Sequence, residues 1–209
     1  MSFIPKGIKL NLSDGATVFT EVVADEDDAH TILYVLLEDM IQRRNMLVGF
    51  ATEWNLCRSG TAGLDHPIVM LKFYTELGCI LVRLKPGAGS VSPSLRQFMA
   101  FKDAIFAGVH IKEDLEKLRR EYGIVVGNAV ELSELAAAVM RKPALAAYGA
   151  RELAGKVGNR KKKELDPKPM TVIWSNWCEG ALSMEQIESA TVDAYAAYRV
   201  GETMLSCGS

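Results

Sequence analysis

Apolar and polar positions alternate over residues 8–12, and Ser13-Asp14-Gly15 follows as a turn signal. Residues 18–23 are rich in β-branched side chains, so the opening stretch predicts a β-hairpin. The period then changes. After Asp25-Glu26-Asp27-Asp28, apolar Ile32, Leu33, Leu36, Leu37, Met40 and Ile41 recur at helical spacing. The four acids suit the positive end of that helix's dipole. Residues 46–50 form a short continuous apolar run, as a buried strand does. Residues 58–67 read as a loop. Two further strands are predicted over 68–74 and 79–84, joined at Glu76-Leu77-Gly78 as a second hairpin.

Ser92-Pro93 predicts a helix start, with Ser92 as cap and Pro93 in the first position. Residues 105–111 read as another buried strand, and 112–122 as a charged amphipathic helix stopped by Gly123. A last short strand is expected over 125–132, and from Ser133 onward the pattern is mainly helical. Residues 159–169 are polar and basic and hold two prolines, which predicts a surface loop rather than a linker. No internal repeat is present. The order of elements predicts an α/β fold, a mixed sheet flanked by helices, forming one domain over residues 1–209.

Composition narrows the function classes. The 209 residues suffice for one sizeable core, and the balance of 49% hydrophobic and 24% charged residues is that of a globular chain. A net charge of −2 gives no global attraction to nucleic acid or anionic membrane, so any such binding needs a local basic patch. No apolar run reaches the roughly 18 residues of a membrane span. Cys57, Cys79, Cys178 and Cys207 are scattered without a Cys-x-x-Cys pair, which argues against structural zinc. With no signal peptide, we expect reduced thiols and a nuclear or cytoplasmic location, with the cysteines acting as small buried hydrophobes.

The candidate chemistry lies in Val48-Gly49-Phe50-Ala51-Thr52-Glu53-Trp54. Residues two apart on a strand point to the same side, so Asp-x-Glu at a strand end places two carboxylates together. Two-metal phosphodiester hydrolysis wants several such acids around ions roughly 4 Å apart, and Mg²⁺ or Mn²⁺ prefers oxygen ligands. Here Ala51 stands where the first acid would be, and Glu53 remains. Asp114, after Gly108-Val109-His110-Ile111, and Asp193, on the last helix, are the other candidates. Ser189 lies four residues before Asp193 and shares its face. Each acid also has a plain reading: Glu53 as a polar residue left in a cleft, Asp114 as a first-turn acid favoured by its helix dipole, and Asp193 as a solvated helical acid. Trp54 reads as core or cleft wall, or as a platform for base stacking. Arg160, Lys161, Lys162 and Lys163 form the one basic cluster, either a solvated loop or a phosphate-contacting patch. His30, His66 and His110 are dispersed and have no partner at ligand or triad spacing.

The chain resembles the Werner-type branch of the DEDD 3′–5′ exonucleases, and most closely their short plant Werner-like members. The resemblance runs from Ile8 to Leu205. It is carried by Val48-Gly49-Phe50-x-Thr52-Glu53-Trp54, by Ala107-Gly108-Val109-x-Ile111-x-x-Asp114-x-x-Lys117-Leu118, and by Val130-Glu131-Leu132-x-x-Leu135-Ala136. Leu153-Ala154 and Ser175-Asn176-Trp177 extend it. Leu182-Ser183-x-Glu185-Gln186-Ile187-x-x-Ala190-x-x-Asp193-Ala194-Tyr195 is its most diagnostic part. The resemblance implies a ribonuclease-H-like fold and metal-dependent removal of nucleotides from a nucleic-acid 3′ end. It also implies Glu53, Asp114 and Asp193 as catalytic metal ligands.

Two departures stand against that activity. Ala51 occupies the position of the Asp that bridges both metals in the family, and Ser189 that of the Tyr which positions water. The expectation is a nucleic-acid-binding exonuclease domain with lost or strongly impaired hydrolysis, in which Mg²⁺ or Mn²⁺ binding is weak or absent. The alternative is an inactive pseudo-exonuclease serving as a protein-interaction or regulatory module. A single strand or a 3′ end is the expected partner, with a protein as the alternative and no membrane.

Overall fold

The computed structural model describes residues 7–24, 29–56, 66–88, 91–158, 164–178 and 180–206. The acids Asp25 to Asp28, most of the loop expected over 58–67, and Arg160, Lys161, Lys162 and Lys163 lie outside the described residues. The strands are β1 (Ile8–Asn11), β2 (Thr17–Val23), β3 (Leu47–Trp54), β4 (Ile68–Thr75), β5 (Gly78–Arg83), β6 (Ile105–Gly108) and β7 (Ala129–Glu131). The helices are α1 (Ala29–Arg43), α2 (Pro93–Ala100), α3 (Lys112–Tyr122), α4 (Leu132–Val139), α5 (Ala150–Val157), α6 (Met170–Ile173) and α7 (Met184–Ser206). A 3₁₀ segment, Pro143–Ala147, precedes α5.

One seven-stranded sheet takes the order β1-β2-β5-β4-β3-β6-β7. The β2–β5, β3–β6 and β6–β7 pairs are parallel and the others antiparallel, so the sheet is mixed. Helices α1, α2 and α3 cover one face, over a core that includes Phe50, Phe73, Phe98 and Phe106. Helices α4, α5 and α7 cover the other. Period-2 alternation sorts β3 between the two layers: Val48 and Phe50 belong to the first, and Leu47 to the second.

Helix α7 lies directly on β3 because the contact is made of small residues. A Cβ added to Gly49 would stand 2.3 Å from the Ala194 carbonyl oxygen, and one added to Gly201 would stand 3.1 Å from Leu47 Cδ1. Ala190, Ala194 and Ala197 on α7 are fully buried. This close approach fixes where Asp193 meets the sheet.

The structure corrects several sequence expectations. The strand expected over 46–50 continues to Trp54, because Thr52 and Glu53 pair with Leu71 and Met70 of β4 and polar side chains do not stop the ladder. The strand expected over 105–111 stops at Gly108, since His110 takes a left-handed φ of 58°. The strand expected over 125–132 shrinks to Ala129–Glu131, where it pairs with β6; Leu132 already belongs to α4. Of the loop expected on the surface over 159–169, the described residues 164–169 are mostly exposed, but Leu165 is buried and Lys168 half-buried. Leu165 is in the core, the Asp166 amide donates to Ser13 Oγ at 3.0 Å, and Arg151 Nη1 donates to the Asp166 carbonyl at 3.0 Å. These bonds hold Lys168 over the sheet. Helix α3 matches its expected bounds, ending at Gly123 with φ 63°, and the Ser92 hydroxyl caps α2.

Candidate functional site

The site forms where β3, β4, α7 and the segment before α6 meet. Ala51 and Glu53 lie two apart on β3, and Lys72 on β4 is the cross-strand partner of Ala51. Directly opposed residues of an antiparallel pair hold their Cβ atoms about 4.5–5.5 Å apart. The missing acid and the lysine are therefore neighbours across the ladder. Lys72 is 1% exposed, as deep as any apolar core residue. Burying an ammonium in this way requires compensating charge.

Glu53 and Asp193 supply that charge. Lys72 Nζ donates to Glu53 Oε2 at 2.5 Å and to Asp193 Oδ2 at 2.9 Å. A second ammonium, Lys168, donates to both Glu53 oxygens at 2.8 and 2.7 Å and stands 3.5 Å from Asp193 Oδ2. Arg151, in the first turn of α5, donates through Nε to Asp193 Oδ1 at 2.8 Å. Through Nη2 it donates to the Ser189 carbonyl and Oγ, each at 2.8 Å. Every carboxylate oxygen of Glu53 and Asp193 thus faces a cation.

Burial works against the charge on Asp193, but Lys72, Lys168 and Arg151 outweigh it and hold the carboxyl well below the usual range. Burial likewise opposes the charge of Lys72, and Asp193 and Glu53 overcome it, raising the lysine above its ordinary value. Lys168 goes the other way: burial and the neighbouring Lys72 lower it despite its carboxylate partners.

Asp114 is held apart from this knot. The Trp54 indole donates to Asp114 Oδ1 at 2.7 Å. Burial pushes the Asp114 carboxyl up to about 6, and hydrogen bonds from Thr52 and Trp54 offset part of that rise. The Glu131 carboxylate fixes the approach to α3 by accepting from the His110 and Ile111 amides at 2.9 and 2.8 Å. The Lys117 ammonium lies 4.8 Å from the centroid of the Trp54 ring, so one face of that ring carries a cation. Beside the site opens a cleft of about 470 Å³ whose walls include Arg151, Lys156, Lys168 and Asp193.

Sequence reasoning missed Lys72, Lys168 and Arg151. One signal was present: Lys72 interrupts the otherwise apolar Ile68-Val69-Met70-Leu71 and Phe73. A charge in mid-run of a central strand requires a partner. Arg151 and Lys168 carry no comparable signal, since nothing in their spacing links them to residue 72.

The donor set does not fit a pair of divalent ions. Three cations surround two carboxylates, and among the described residues no group of three or more His, Cys, Asp or Glu side chains is arranged to hold a metal. A unit charge 4 Å from another is worth about 4 kcal/mol at an effective dielectric of about 20. A divalent ion at that distance from one ammonium would meet roughly 8 kcal/mol of repulsion.

Comparison with known proteins places this geometry in context. The chain is 30% identical over 189 residues to the RISC-interacting clearing 3′–5′ exoribonuclease 1 of Arabidopsis thaliana, covering 90% of this chain and 91% of that protein. Its fold matches the RNase D exoribonuclease of Escherichia coli with a TM-score of 0.68 at 14% identity, over 90% of this chain and 44% of the other. It also matches the exonuclease domain of Aedes aegypti Nibbler with a TM-score of 0.63 at 16% identity, over 96% and 92%. These likenesses give the sheet a ribonuclease-H-like 3′–5′ exonuclease architecture. No family model matches the chain.

Proposed function

We propose, for a chain that belongs to the 3′–5′ exonuclease-domain family of the DEDD type, that it binds nucleic acid and has lost the hydrolysis its relatives perform. One observation carries this reading. Lys72 stands opposite Ala51 and is ion-paired to Glu53 and Asp193, in the space where carboxylates would hold metal. Two of the three acids that survive in the sequence, Glu53 and Asp193, are consumed by internal cations, and Asp114 accepts from the Trp54 indole. With both so engaged, neither Glu53 nor Asp193 is free to activate water, and Ser189 Oγ is committed to Arg151.

The Arabidopsis relative is named an exoribonuclease, which makes an RNA 3′ end the first ligand to test. The cleft beside Arg151, Lys156 and Lys168 offers the binding surface. Affinity should be weak and salt-sensitive, in the ~10⁻⁴–10⁻⁶ M range of non-specific phosphate contact. The test pairs fluorescence anisotropy across a salt series with a nuclease assay on 3′-labelled RNA and single-stranded DNA in Mn²⁺. Salt-dependent binding without shortening is the expected result. Progressive 3′ shortening would refute the loss of hydrolysis. Absence of binding at low salt would leave a protein partner as the better reading of the scaffold.

A further inference from the structure

We infer that Lys72 and Lys168 have taken over the counter-ion role of the divalent metals, and that Lys72, more than the missing acid at position 51, bars metal from the cleft. The inference rests on reading this cleft as a former metal site and concerns what fills it now.

The argument is geometric. Two-metal sites hold converging carboxylates together by placing positive charge between them. Here Lys72 Nζ lies between Glu53 of β3 and Asp193 of α7, at 2.5 and 2.9 Å. Lys168 Nζ lies at 2.7 Å from Glu53 and 3.5 Å from Asp193. Two ammonium groups thus bridge the same pair of acids, and Arg151 closes the far side of Asp193. The bridges tie together elements remote in sequence: β3, β4, α7, and the segment that carries Lys168.

The two lysines differ in how firmly they are placed. Lys72 projects from the middle of β4, paired on both sides with Ala51 of β3 and Leu81 of β5, and its side chain is 1% exposed. Its backbone is fixed in the ladder on both sides, and its buried ammonium has no solvent-exposed position to move into without losing its partners. Lys168 sits between Pro167 and Pro169 outside any helix or strand, with its side chain 22% exposed. A competing cation could displace Lys168, but not Lys72. An aspartate restored at position 51 would face Lys72 across the ladder and add one more partner to it, leaving metal excluded.

The experiment is isothermal titration of Mn²⁺ with parallel melting curves in Mn²⁺ and in EDTA, on the full chain and its variants. The parent should give no saturable heat and no shift in melting temperature between Mn²⁺ and EDTA. Ala51→Asp, and Ala51→Asp with Lys168→Gln, should behave the same way. Ala51→Asp with Lys72→Gln should bind Mn²⁺ on the order of 100-fold more tightly than the parent, since changes one shell further out already move metal affinity 10–100-fold. Its melting temperature should rise in Mn²⁺. Saturable binding by the parent, or by either variant that keeps Lys72, would overturn the inference. So would a folded Ala51→Asp, Lys72→Gln variant that ignores Mn²⁺. If that variant does not fold, the parent and the Lys168 variant still decide. The readout is binding, so it fails independently of the loss of hydrolysis, which the nuclease assay tests.

Discussion

Adjacent residues of β4 face two different chemistries. Phe73 points into an aromatic cluster, 5.8 Å from Phe50, 5.4 Å from Phe98 and 6.4 Å from Phe106 between ring centroids. Lys72, one residue earlier, points through the other face into the knot of Glu53, Asp193 and Lys168. Both are buried to 1% exposure or less. The aromatic face is held by many weak contacts, each nearly independent of the others. The ionic face is held by a few strong ones that depend on one another, because removing one charge leaves its partners buried and uncompensated. The same strand therefore has a face that degrades gradually and a face that fails as a unit.

The largest expected effects are single truncations on each face, and the sharpest contrast is what rescues them. Phe73→Ala should cost about 3–5 kcal/mol from lost transfer and cavity formation. Lys72→Met should cost a similar amount, about 3–5 kcal/mol, by stranding Glu53 and Asp193. Adding Glu53→Gln to Lys72→Met should return about 1–3 kcal/mol of that loss, a coupling that chemical denaturation of the four-member cycle measures directly. Adding Phe50→Ala to Phe73→Ala should return nothing. Equal behaviour in the two cycles would remove the distinction between the faces.

A smaller effect separates Asp114 from the knot. Its carboxyl is raised to about 6. A carboxyl raised by folding favours the protonated folded state, so its contribution to stability is complete below the unfolded value near 3.8 and is lost as pH rises through about 6. Asp193 is depressed, so its contribution is present above the ordinary carboxylate range and is lost only in strong acid. Between pH 7 and pH 4 the parent should gain on the order of 1–3 kcal/mol relative to Asp114→Asn. Melting curves over that range check it, and parallel pH profiles for the two proteins would deny Asp114 its raised value. The smallest effect is expected outside both faces. Lys112 and Glu134 lie 2.6 Å apart, but with side chains 68% and 58% exposed. Lys112→Met should leave the melting temperature unchanged, because contact distance without burial contributes little.

The contrast also explains what the sequence could reveal. The apolar face was legible because its periodicities are long and local: the 68–74 run, the helical repeat of α1, and the bounds of α3 with Gly123. The ionic face was legible only in part. Glu53 and Asp193 are visible as acids in a family pattern, but their present partners are separated from them by long stretches of chain. Lys72 lay unremarked within the strand over 68–74, Arg151 within the mainly helical region after Ser133, and Lys168 within the basic stretch over 159–169. Their convergence depends on α7 settling against Gly49 and on Ser13 and Arg151 drawing the 164–169 segment inward. Those are tertiary events without a local sequence signal. Strand ends were misjudged for a similar reason. Polar Thr52 and Glu53 continue the ladder, whereas His110 turns out of it under the hold of Glu131.

The central claim is that ammonium groups, not divalent ions, lie between Glu53 and Asp193. Anomalous diffraction from a crystal of the unmodified chain soaked in millimolar Mn²⁺ tests it most directly. The account predicts no manganese peak in the cleft and both lysine side chains in place against the carboxylates. A well-occupied manganese ion ligated by Glu53 and Asp193, with Lys72 or Lys168 swung aside, would contradict it.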